Sequence, residues 1–255
     1  MKMNRLAGKV AVVTGANSGI GKRTAELFAE EGADLVLVAR RMDKLKEVEA
    51  CCKGLGRSVI SVSADVSVQE DCRRVCEEAE KTFGRIDVLV NNAGIADKHR
   101  PVTRCDADWW DHIIKVDQYS VFYMMQEALK SMTKAGQGSI VNISSIGGTS
   151  YNSGIAYTAA KTAVVGMSKN VAIQFAGRGI RVNVVAPGTT PTPLNTPDQL
   201  ATFDQKFAEQ CARHFDDTVP EVTAEDQARA ILFFASDDSK GCNGQVIVVD
   251  NGRTI

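Results

Sequence analysis

The sequence contains few of the residues that build metal centres or break a chain into many loops. Its 255 residues include three histidines, two tryptophans and six prolines. Seven cysteines are present, an odd number, and no pair of CxxC motifs occurs among them. Because histidine is too scarce to complete a zinc site, we expect no metal centre. The odd number of scattered cysteines does not indicate a disulfide framework. We interpret the cysteines as reduced, partly buried thiols.

Two further absences narrow the class of protein. No stretch approaches the roughly 20 consecutive apolar residues of a membrane-spanning helix, and the N-terminal stretch lacks the apolar core of a signal peptide. Lysine and arginine number 30 against 31 aspartates and glutamates, a formal net charge of −1. This balance gives no argument for a nucleic acid or an anionic membrane surface as partner. We therefore expect a cytoplasmic protein whose partner is a small molecule.

The sequence does contain a regular alternation of strand-like and helix-like segments. Runs that are apolar almost throughout predict strands buried on both faces, as in a parallel sheet covered by helices. The helical segments between them supply the crossovers that parallel strands need. The pattern predicts one α/β domain, residues 1–255, with a doubly wound (Rossmann) seven-stranded parallel sheet. The seven strands are expected near Val10, Leu35, Val59, Val88, Ile140, Val182 and Val246.

One segment, residues 188–223, departs from this alternation. Four of the six prolines lie between Pro187 and Pro197, so the beginning of the segment cannot form a regular helix or an inner strand. Its middle part has the apolar spacing of a short amphipathic helix. Long connections inside compact domains often serve as lids or binding loops, and we predict a substrate loop here.

The first strand is followed by the glycine-rich stretch "TGANSGIG", which leads into the first helix. Gly15, Gly19 and Gly21 allow the backbone to turn tightly and approach a pyrophosphate, while the helix N-terminus offers free N–H groups. A P-loop is excluded because Lys22 is followed by Arg23 rather than serine or threonine. The stretch therefore predicts a dinucleotide site.

The end of the second strand indicates which dinucleotide binds. NAD-binding folds of this kind usually place an acid there, which hydrogen-bonds the ribose 2′-hydroxyl. This chain instead has Arg40 and Arg41, with no carboxylate before Asp43. A guanidinium can form paired hydrogen bonds with a 2′-phosphate. We therefore predict that NADP(H) is favoured over NAD(H), although both arginines would also suit a solvated loop.

A tyrosine and a lysine share one face of a predicted helix, in "GIAYTAAKTAVVG". Tyr157 and Lys161 are four residues apart, the spacing of neighbours on a helix surface. A free phenol, with a pKa near 10, is a poor base at neutral pH. An ammonium group close by favours the phenolate and lowers that pKa. The pair therefore predicts a general acid and base with a lysine that tunes it.

Four motifs, in this order, resemble the short-chain dehydrogenase/reductase (SDR) family, in its non-extended group, over nearly the whole chain. "TGANSGIG" resembles the family's TGxxxGxG loop, "NNAG" its strand-four motif, and Tyr157 to Lys161 its YxxxK motif. "APG" with Thr192 resembles its PGxxxT motif. The resemblance implies an oxidoreductase that moves a hydride between a nicotinamide cofactor and a secondary alcohol or ketone.

The resemblance also implies catalytic roles. Tyr157 would be the general acid or base, and Lys161 would tune it and bind the nicotinamide ribose. A serine would hold the substrate oxygen: Ser145 fits by motif, whereas Ser144 fits by its distance from the tyrosine, and we favour Ser145. The family's asparagine, which supports a helix irregularity and a water beside the lysine, is replaced here by Asp117. We expect Asp117 either to substitute for it and shift the pH optimum, or to be merely structural.

The remaining matching positions have cofactor roles by resemblance. The glycine loop, the end of the third strand, strand four and the segment after the sixth strand would contact successive parts of the dinucleotide. Together with Arg40, Arg41, Tyr157 and Lys161, these positions are Gly15, Asn17, Ser18, Gly19, Ile20, Gly21, Asp65, Val66, Asn91, Ala93, Gly94, Pro187, Gly188, Thr190 and Thr192.

We expect a hydroxysteroid-type substrate over Tyr157, by analogy with relatives of this ground plan. Candidate walls are Ile146, Gly147, Tyr151, Asn152, His99, Leu194 and a Phe203/Phe207 face. The alternatives are a reductase of sugars or acyl ketoesters, a non-catalytic NADP(H)-binding regulator, an extended-group epimerase or dehydratase, and a divergent enoyl reductase. The motif spacings disfavour the last two.

The resemblance also implies a homotetramer. Two predicted helices carry long apolar faces. In the family, the corresponding helices meet their copies in a four-helix interface. The residues of these faces are Val121, Phe122, Met125, Val164, Met167 and Val171. The same faces could instead only cover the sheet.

Overall fold

Seven parallel strands form the centre of the structure, a computed structural model that describes residues 4–255. Their bounds are β1 (Val10–Thr14), β2 (Asp34–Ala39), β3 (Val59–Ser63), β4 (Val88–Asn91), β5 (Gly138–Ile143), β6 (Ile180–Pro187) and β7 (Val246–Val249). The strand order is β3-β2-β1-β4-β5-β6-β7, and every neighbouring pair is parallel. The predicted doubly wound sheet and its seven strands are confirmed.

Helices connect the strands and cover both faces of the sheet. Their bounds are α1 (Gly19–Glu30), α2 (Met42–Gly54), α3 (Gln69–Phe83), α4 (Ala107–Ile114), α5 (Ser120–Ala135), α6 (Ile146–Thr149), α7 (Ile155–Gln174), α8 (Pro197–Leu200), α9 (Gln205–Ala212) and α10 (Ala224–Ala235). Helices α3 and α5 end at Gly84 and Gly136, which adopt the left-handed conformation that glycine reaches without a steric penalty. Helix α10 begins with a capping box between Thr223 and Asp226.

Two apolar cores lie on opposite faces of the sheet. One is filled by side chains of α1, α2 and α10, including Phe28, Leu45 and Ile231. The other is filled by α3, α5 and α7, including Met124 and Val164. The inner strands are buried on both faces, which explains why their sequences are apolar almost throughout rather than alternating.

The strand order reverses between β1 and β4, which are neighbours in the sheet but far apart in sequence. In open α/β sheets, ligands bind in the crevice outside the carboxyl ends of the strands at such a switch point. The glycine loop after β1 and the loop after β4 both open onto this crevice.

Two helical segments are less regular than the sequence pattern predicts. The helical stretch that begins after Asp106 contains a π-helical turn, Lys115–Tyr119, between α4 and α5. The middle of the 188–223 segment forms two short helices, α8 and α9, instead of one. The break falls before Asp204, whose side chain accepts from the backbone N–H of Phe207 and so begins a new helix.

Candidate active site

The glycine loop after β1 forms one side of a cavity of about 430 Å³. Gly15 and Gly19 have φ angles of +65° and +53°, a region that other residues rarely adopt. A Cβ on Gly15 would stand 2.7 Å from Nδ2 of Asn92, and one on Gly21 would collide with the carbonyl of Gly15. No side chain caps the N-terminus of α1, so its N–H groups are free to bind an anion.

The other side of the same cavity is basic. Arg40 and Arg41 both line it and are exposed. With the Asn17 amide suitably oriented, its oxygen accepts from Nη2 and Nε of Arg41 at 2.7 and 3.1 Å, which ties the arginine to the glycine loop. Asp65 lines the cavity too, but its carboxylate accepts from both the N–H and the hydroxyl of Ser67. The cradle and its charges therefore fit a dinucleotide.

The end of β4 closes the crevice through a residue that the sequence did not single out. Asn92 donates from its side chain to the carbonyl of Thr14 at 2.9 Å, and the Thr14 hydroxyl accepts from the N–H of Asn92 and of Ala93. Asn91, in contrast, is buried and donates to Asn142 at 2.8 Å. Ala93 and Gly94 line the dinucleotide cavity as predicted, but Asn92 takes the place expected for Asn91.

A second cavity, of about 300 Å³, opens beside the first. Several residues line both cavities, so the two are continuous; these are Ile20, Asn92, Gly94, Thr192 and Leu194. The predicted positions Pro187, Gly188 and Thr190 also line the second cavity. Tyr157 and Lys161, one helical turn apart near the start of α7, lie against it together with Ser144 and Ser145.

The two serines have different surroundings. Ser144 is buried, and its hydroxyl donates to the carbonyl of Lys161 at 2.8 Å. The hydroxyl of Ser145 caps α6 by accepting from the N–H of Gly147 at 3.1 Å, and it lies close enough to the phenol of Tyr157 to lower its pKa. Only Ser145 therefore has its hydroxyl beside the tyrosine, as the motif-based assignment expected.

Asp117 lies in the π-helical turn and is completely buried. Its Oδ1 lies 3.1 Å from Nζ of Lys161, and both carboxylate oxygens accept from the N–H of Ile95. A Cβ on Gly94 would stand 2.5 Å from Oδ1 of Asp117, so the glycine of the strand-four motif makes room for this ion pair. The ammonium of Lys161 also donates to the carbonyl of Ile143 at 3.3 Å.

The charges around Tyr157 compete. Burial raises the pKa of the phenol; Lys161 and Ser145 lower it, and the carboxylate of Asp117 raises it further, so that the net direction is upward. Burial alone would lower the pKa of Lys161, but Asp117 and Tyr157 outweigh it and the pKa is raised. Burial raises the pKa of Asp117, against the attraction of Lys161. The lysine therefore stays an ammonium, and the aspartate offsets much of its effect on the phenol.

A further carboxylate that the sequence did not indicate holds the start of α7. Asp97 is buried in the loop after β4 and accepts from the backbone N–H of Tyr157 at 3.1 Å and of His99 at 2.9 Å. Tyr157 lies in the first turn of α7, which begins at Ile155. Burial raises the pKa of Asp97 to about 6. This side chain from another loop therefore fixes the catalytic helix.

The walls of the second cavity largely match those expected for a substrate. Ile146, Gly147, Asn152, His99, Leu194 and Phe203 line it, together with Leu200 and Phe215. Tyr151 and Phe207 do not; Tyr151 has 66% of its surface exposed. Leu194, Leu200, Phe203 and Phe215 all come from the 188–223 segment, which therefore forms one side of the cavity.

The seven cysteines are free, and burial raises the pKa of Cys52, Cys72 and Cys76 to about 12, which keeps these thiols protonated. Within residues 4–255, His, Cys, Asp and Glu side chains form no cluster suited to a metal ion. No helix of that part of the chain is long and apolar enough to cross a membrane.

Comparison with known proteins gives matches over nearly the whole chain. A family model described as Enoyl-(Acyl carrier protein) reductase matches residues 15–254. The chain is 39% identical to the 3-oxoacyl-[acyl-carrier-protein] reductase FabG of Thermotoga maritima, over 98% of this chain and 100% of that protein. It is 34% identical to 3beta-hydroxysteroid dehydrogenase 2 of Eggerthella lenta, over 97% and 95% of the two chains.

Two further similarities concern other alcohols and ketones. The chain is 38% identical to the cis-4-hydroxycyclohexanecarboxylate dehydrogenase of Sinomonas cyclohexanicum, over 97% of each protein. Among solved structures, levodione reductase superposes with a TM-score of 0.89 at 31% identity, covering 97% of this chain and 98% of that one.

The fold and the two continuous cavities define a nicotinamide-dependent oxidoreductase. The relatives are named as dehydrogenases and reductases, and this chain likewise is an enzyme that acts on alcohols or ketones. It belongs to the short-chain dehydrogenase/reductase family.

Proposed function

We propose that the protein is an NADP(H)-dependent oxidoreductase that interconverts a cyclic secondary alcohol and its ketone, with a hydroxysteroid as the leading substrate class. The observation that carries this proposal is the placement of Tyr157, Lys161 and Ser145 where the dinucleotide cavity meets a second cavity of about 300 Å³. Segment 188–223 forms the open side of that second cavity, and we propose that it acts as the substrate lid.

The side chains support a simple proton path. The nicotinamide, when bound, accepts or supplies the hydride. Ser145, whose hydroxyl lies beside the phenol, orients the substrate oxygen, and Tyr157 receives its proton in oxidation or returns it in reduction. Lys161 stabilises the phenolate and would hydrogen-bond the cofactor ribose. An intact set of these three side chains disfavours a non-catalytic regulator.

The preference for NADP(H) rests on Arg40 and Arg41. Both are exposed at the rim of the dinucleotide cavity, where paired hydrogen bonds to a 2′-phosphate can form. Among residues 4–255, Asp65 is the only carboxylate that lines this cavity, and it accepts from the N–H and the hydroxyl of Ser67. Repulsion between an acid and the phosphate is therefore small at this end of the cavity.

The substrate class rests on the cavity and on the relatives. Most of the walls are apolar, with the aromatic rings of Phe203 and Phe215 on the lid side, which suits a ring system better than a small polar acid. The relatives include enzymes named for a hydroxysteroid and for a hydroxycyclohexanecarboxylate. The relative named for a 3-oxoacyl-[acyl-carrier-protein] substrate keeps an acyl ketoester reductase as the second candidate.

Nicotinamide absorbance tests the chemistry. With NADP⁺ and a panel of cyclic secondary alcohols and hydroxysteroids, and with NADPH and a 3-oxoacyl thioester, we expect turnover of at least one cyclic alcohol. The Tyr157→Phe variant, which lacks only the hydroxyl, should lose activity by roughly 10²- to 10⁴-fold while binding NADPH as the wild type does. Equal activity in the two proteins would refute the role of Tyr157, and turnover of the thioester alone would favour the second candidate.

The cofactor preference has its own variants. Arg40→Ala should lower kcat/KM for NADP⁺ by about 10- to 100-fold, the loss of a hydrogen bond to a charged group, and leave NAD⁺ turnover unchanged. The matched control is Arg57→Ala, just before β3 and therefore at the amino-terminal end of the strands, away from the cavity. A wild-type enzyme that prefers NAD⁺ would overturn the cofactor assignment and leave the mechanism intact.

A further inference from the structure

Two polar side chains in the wall of the second cavity lack partners. Asn152 has 4% of its surface exposed, and within residues 4–255 neither its Nδ2 nor its Oδ1 has a hydrogen-bond partner. Nδ1 of His99 is buried without a partner in the same part of the structure. Buried polar groups are nearly always paired, because leaving one unpaired costs free energy. Three unpaired atoms in a single cavity wall indicate that a ligand supplies the missing partners.

The backbone around these side chains is strained. His99 and its neighbour Lys98 have φ angles of +48° and +59°, and Tyr151, the neighbour of Asn152, has a φ angle of +60°. Residues other than glycine adopt this region at a cost, and such positions cluster at binding sites. A backbone hydrogen bond joins the two segments just beyond these strained positions: the N–H of Ile155 donates to the carbonyl of Arg100 at 3.0 Å.

The position of the pair places it within the substrate cavity. Asn152 and His99 line the same 300 Å³ space as Tyr157. The ring of Phe203, from the lid segment, lies edge-on to the His99 ring with 4.6 Å between centroids. The pair therefore lies where the lid meets the cavity wall.

The hydrogen-bonding capacity of the pair selects a chemical group. The Asn152 amide offers both a donor and an acceptor. His99 offers Nδ1, which is buried without a partner. Burial lowers the pKa of the ring, and in a neutral imidazole one nitrogen accepts and the other donates. A hydroxyl can accept from the amide and donate to either acceptor. A carboxylate would be repelled by the buried Asp97 beside His99, and an ammonium group would leave the amide N–H unpaired.

We propose that Asn152 and His99 form a second subsite that binds a neutral hydroxyl group of the substrate, remote from the carbon that exchanges the hydride. This proposal deepens the proposed function and rests on it. It defines the substrate as a ring compound with at least two oxygen functions, one over Tyr157 and the other at this subsite.

The test compares alcohols that differ by one hydroxyl. Cyclohexanol is paired with 1,3- and 1,4-cyclohexanediol, and a 3-hydroxysteroid is paired with one that carries a further ring hydroxyl. We expect the wild type to prefer the dihydroxy member of at least one pair by about tenfold in kcat/KM. Asn152→Leu, which replaces the amide by an apolar group of similar size, should remove this preference by lowering kcat/KM more for the dihydroxy member than for the monohydroxy member. Asn170→Leu, exposed on α7, is the matched control.

Thermal unfolding separates this role from a structural one. Because the amide has no partner in the described protein, Asn152→Leu should raise the melting temperature of the free enzyme; a clear fall would identify a structural role and overturn the subsite. Equal losses for both members of each pair, or no preference in the wild type, would also overturn it. If no alcohol is oxidised, the proposed function fails. The subsite is then tested by ligand binding alone: 1,4-cyclohexanediol should raise the melting temperature of the NADP⁺-loaded wild type more than that of NADP⁺-loaded Asn152→Leu. Equal shifts would overturn the subsite.

Discussion

At the scale of single residues, Asp117 decides the electrostatics of the site. It stands where the family resemblance would place an asparagine. Gly94 leaves room for the carboxylate, and the carboxylate in turn holds the ammonium of Lys161 at 3.1 Å. A buried ion pair of this kind fixes geometry more than it adds stability. Its functional consequence is that the negative charge opposes ionisation of Tyr157.

The pH profile of alcohol oxidation tests this consequence. In the proposed mechanism, oxidation requires the base form of Tyr157, and the carboxylate of Asp117 raises the pKa of the phenol. Removing that charge must lower the pKa, so the Asp117→Asn variant should reach full activity at a lower pH than the wild type. Its Oδ1 can still accept from Ile95 and Lys161, because one oxygen of Asp117 already contacts both.

The control for this experiment is Asp111→Asn, an exposed position on α4, which should leave the profile in place. An Asp117→Asn profile that coincides with the wild type would mean that Asp117 is merely structural. In Asp117→Ala, which leaves Lys161 buried without its partner, the free energy of unfolding should fall by about 3–5 kcal/mol.

At the scale of elements, the catalytic helix depends on a side chain from another loop. Helix α7 begins after Gly154, which has no side chain to cap it. Asp97, from the loop after β4, takes over by accepting from the N–H of Tyr157 in the first turn of α7. A negative charge at a helix N-terminus is favourable, yet burial of this carboxyl raises its pKa to about 6. The start of α7 is therefore sensitive to pH.

The linkage between this pKa and folding gives a sign. An unfolded aspartate has a pKa near 3.9, so the native state holds the proton more tightly than the unfolded state. The contribution of Asp97 to stability is therefore largest below about pH 4 and is lost as the pH rises through 6. Relative to Asp97→Asn, the wild type should lose about 2 kcal/mol of unfolding free energy between pH 4 and pH 7.

Urea unfolding of both proteins at several pH values measures this difference, in which the titration of all other groups cancels. A difference that is constant across this range would show that the Asp97 carboxyl has the same pKa in the folded and unfolded states. If the wild type instead gains stability relative to Asp97→Asn as the pH rises, burial is not the dominant effect on the pKa of Asp97.

The elements also show what the sequence could reveal. Strands buried on both faces have an apolar sequence, and Tyr157 and Lys161 are neighbours through helical spacing alone, so both were predictable. The contact of Asp97 with the start of α7 was not, because Tyr157 lies 60 residues away in sequence and only folding brings the two together. The break before Asp204 could have been anticipated from the preference of aspartate for helix N-termini, whereas the apolar spacing ran through it.

At the scale of the whole molecule, the helices expected to form an interface mostly serve the core. Val121, Met125 and Val164 are buried against the sheet, and Met167 and Val171 pack beside them. The sequence pattern could not separate an apolar face that covers the sheet from one that meets another subunit, because both have the same spacing.

Phe122 alone of the predicted interface residues is well exposed, with 46% of its surface accessible. Tyr119, 42% exposed, lies on the same outer surface, and both rings contact Tyr123, with centroids 5.7 and 6.1 Å from its ring. Exposed clusters of large aromatic residues mark surfaces that bind other chains. A copy of this chain, related by a twofold axis, would bury the cluster against itself.

We therefore predict that the protein is a homotetramer and that this aromatic cluster is part of the contact. Light scattering should give the mass of four 27.5 kDa chains for the wild type. Phe122→Glu should lower the mass to that of two chains or one, because each copy would bury an unpaired charge. Leu55→Glu, partly exposed after α2, should keep the wild-type mass. A wild-type mass of one chain would exclude the tetramer, and a Phe122→Glu variant that stays tetrameric would place the interface on another surface.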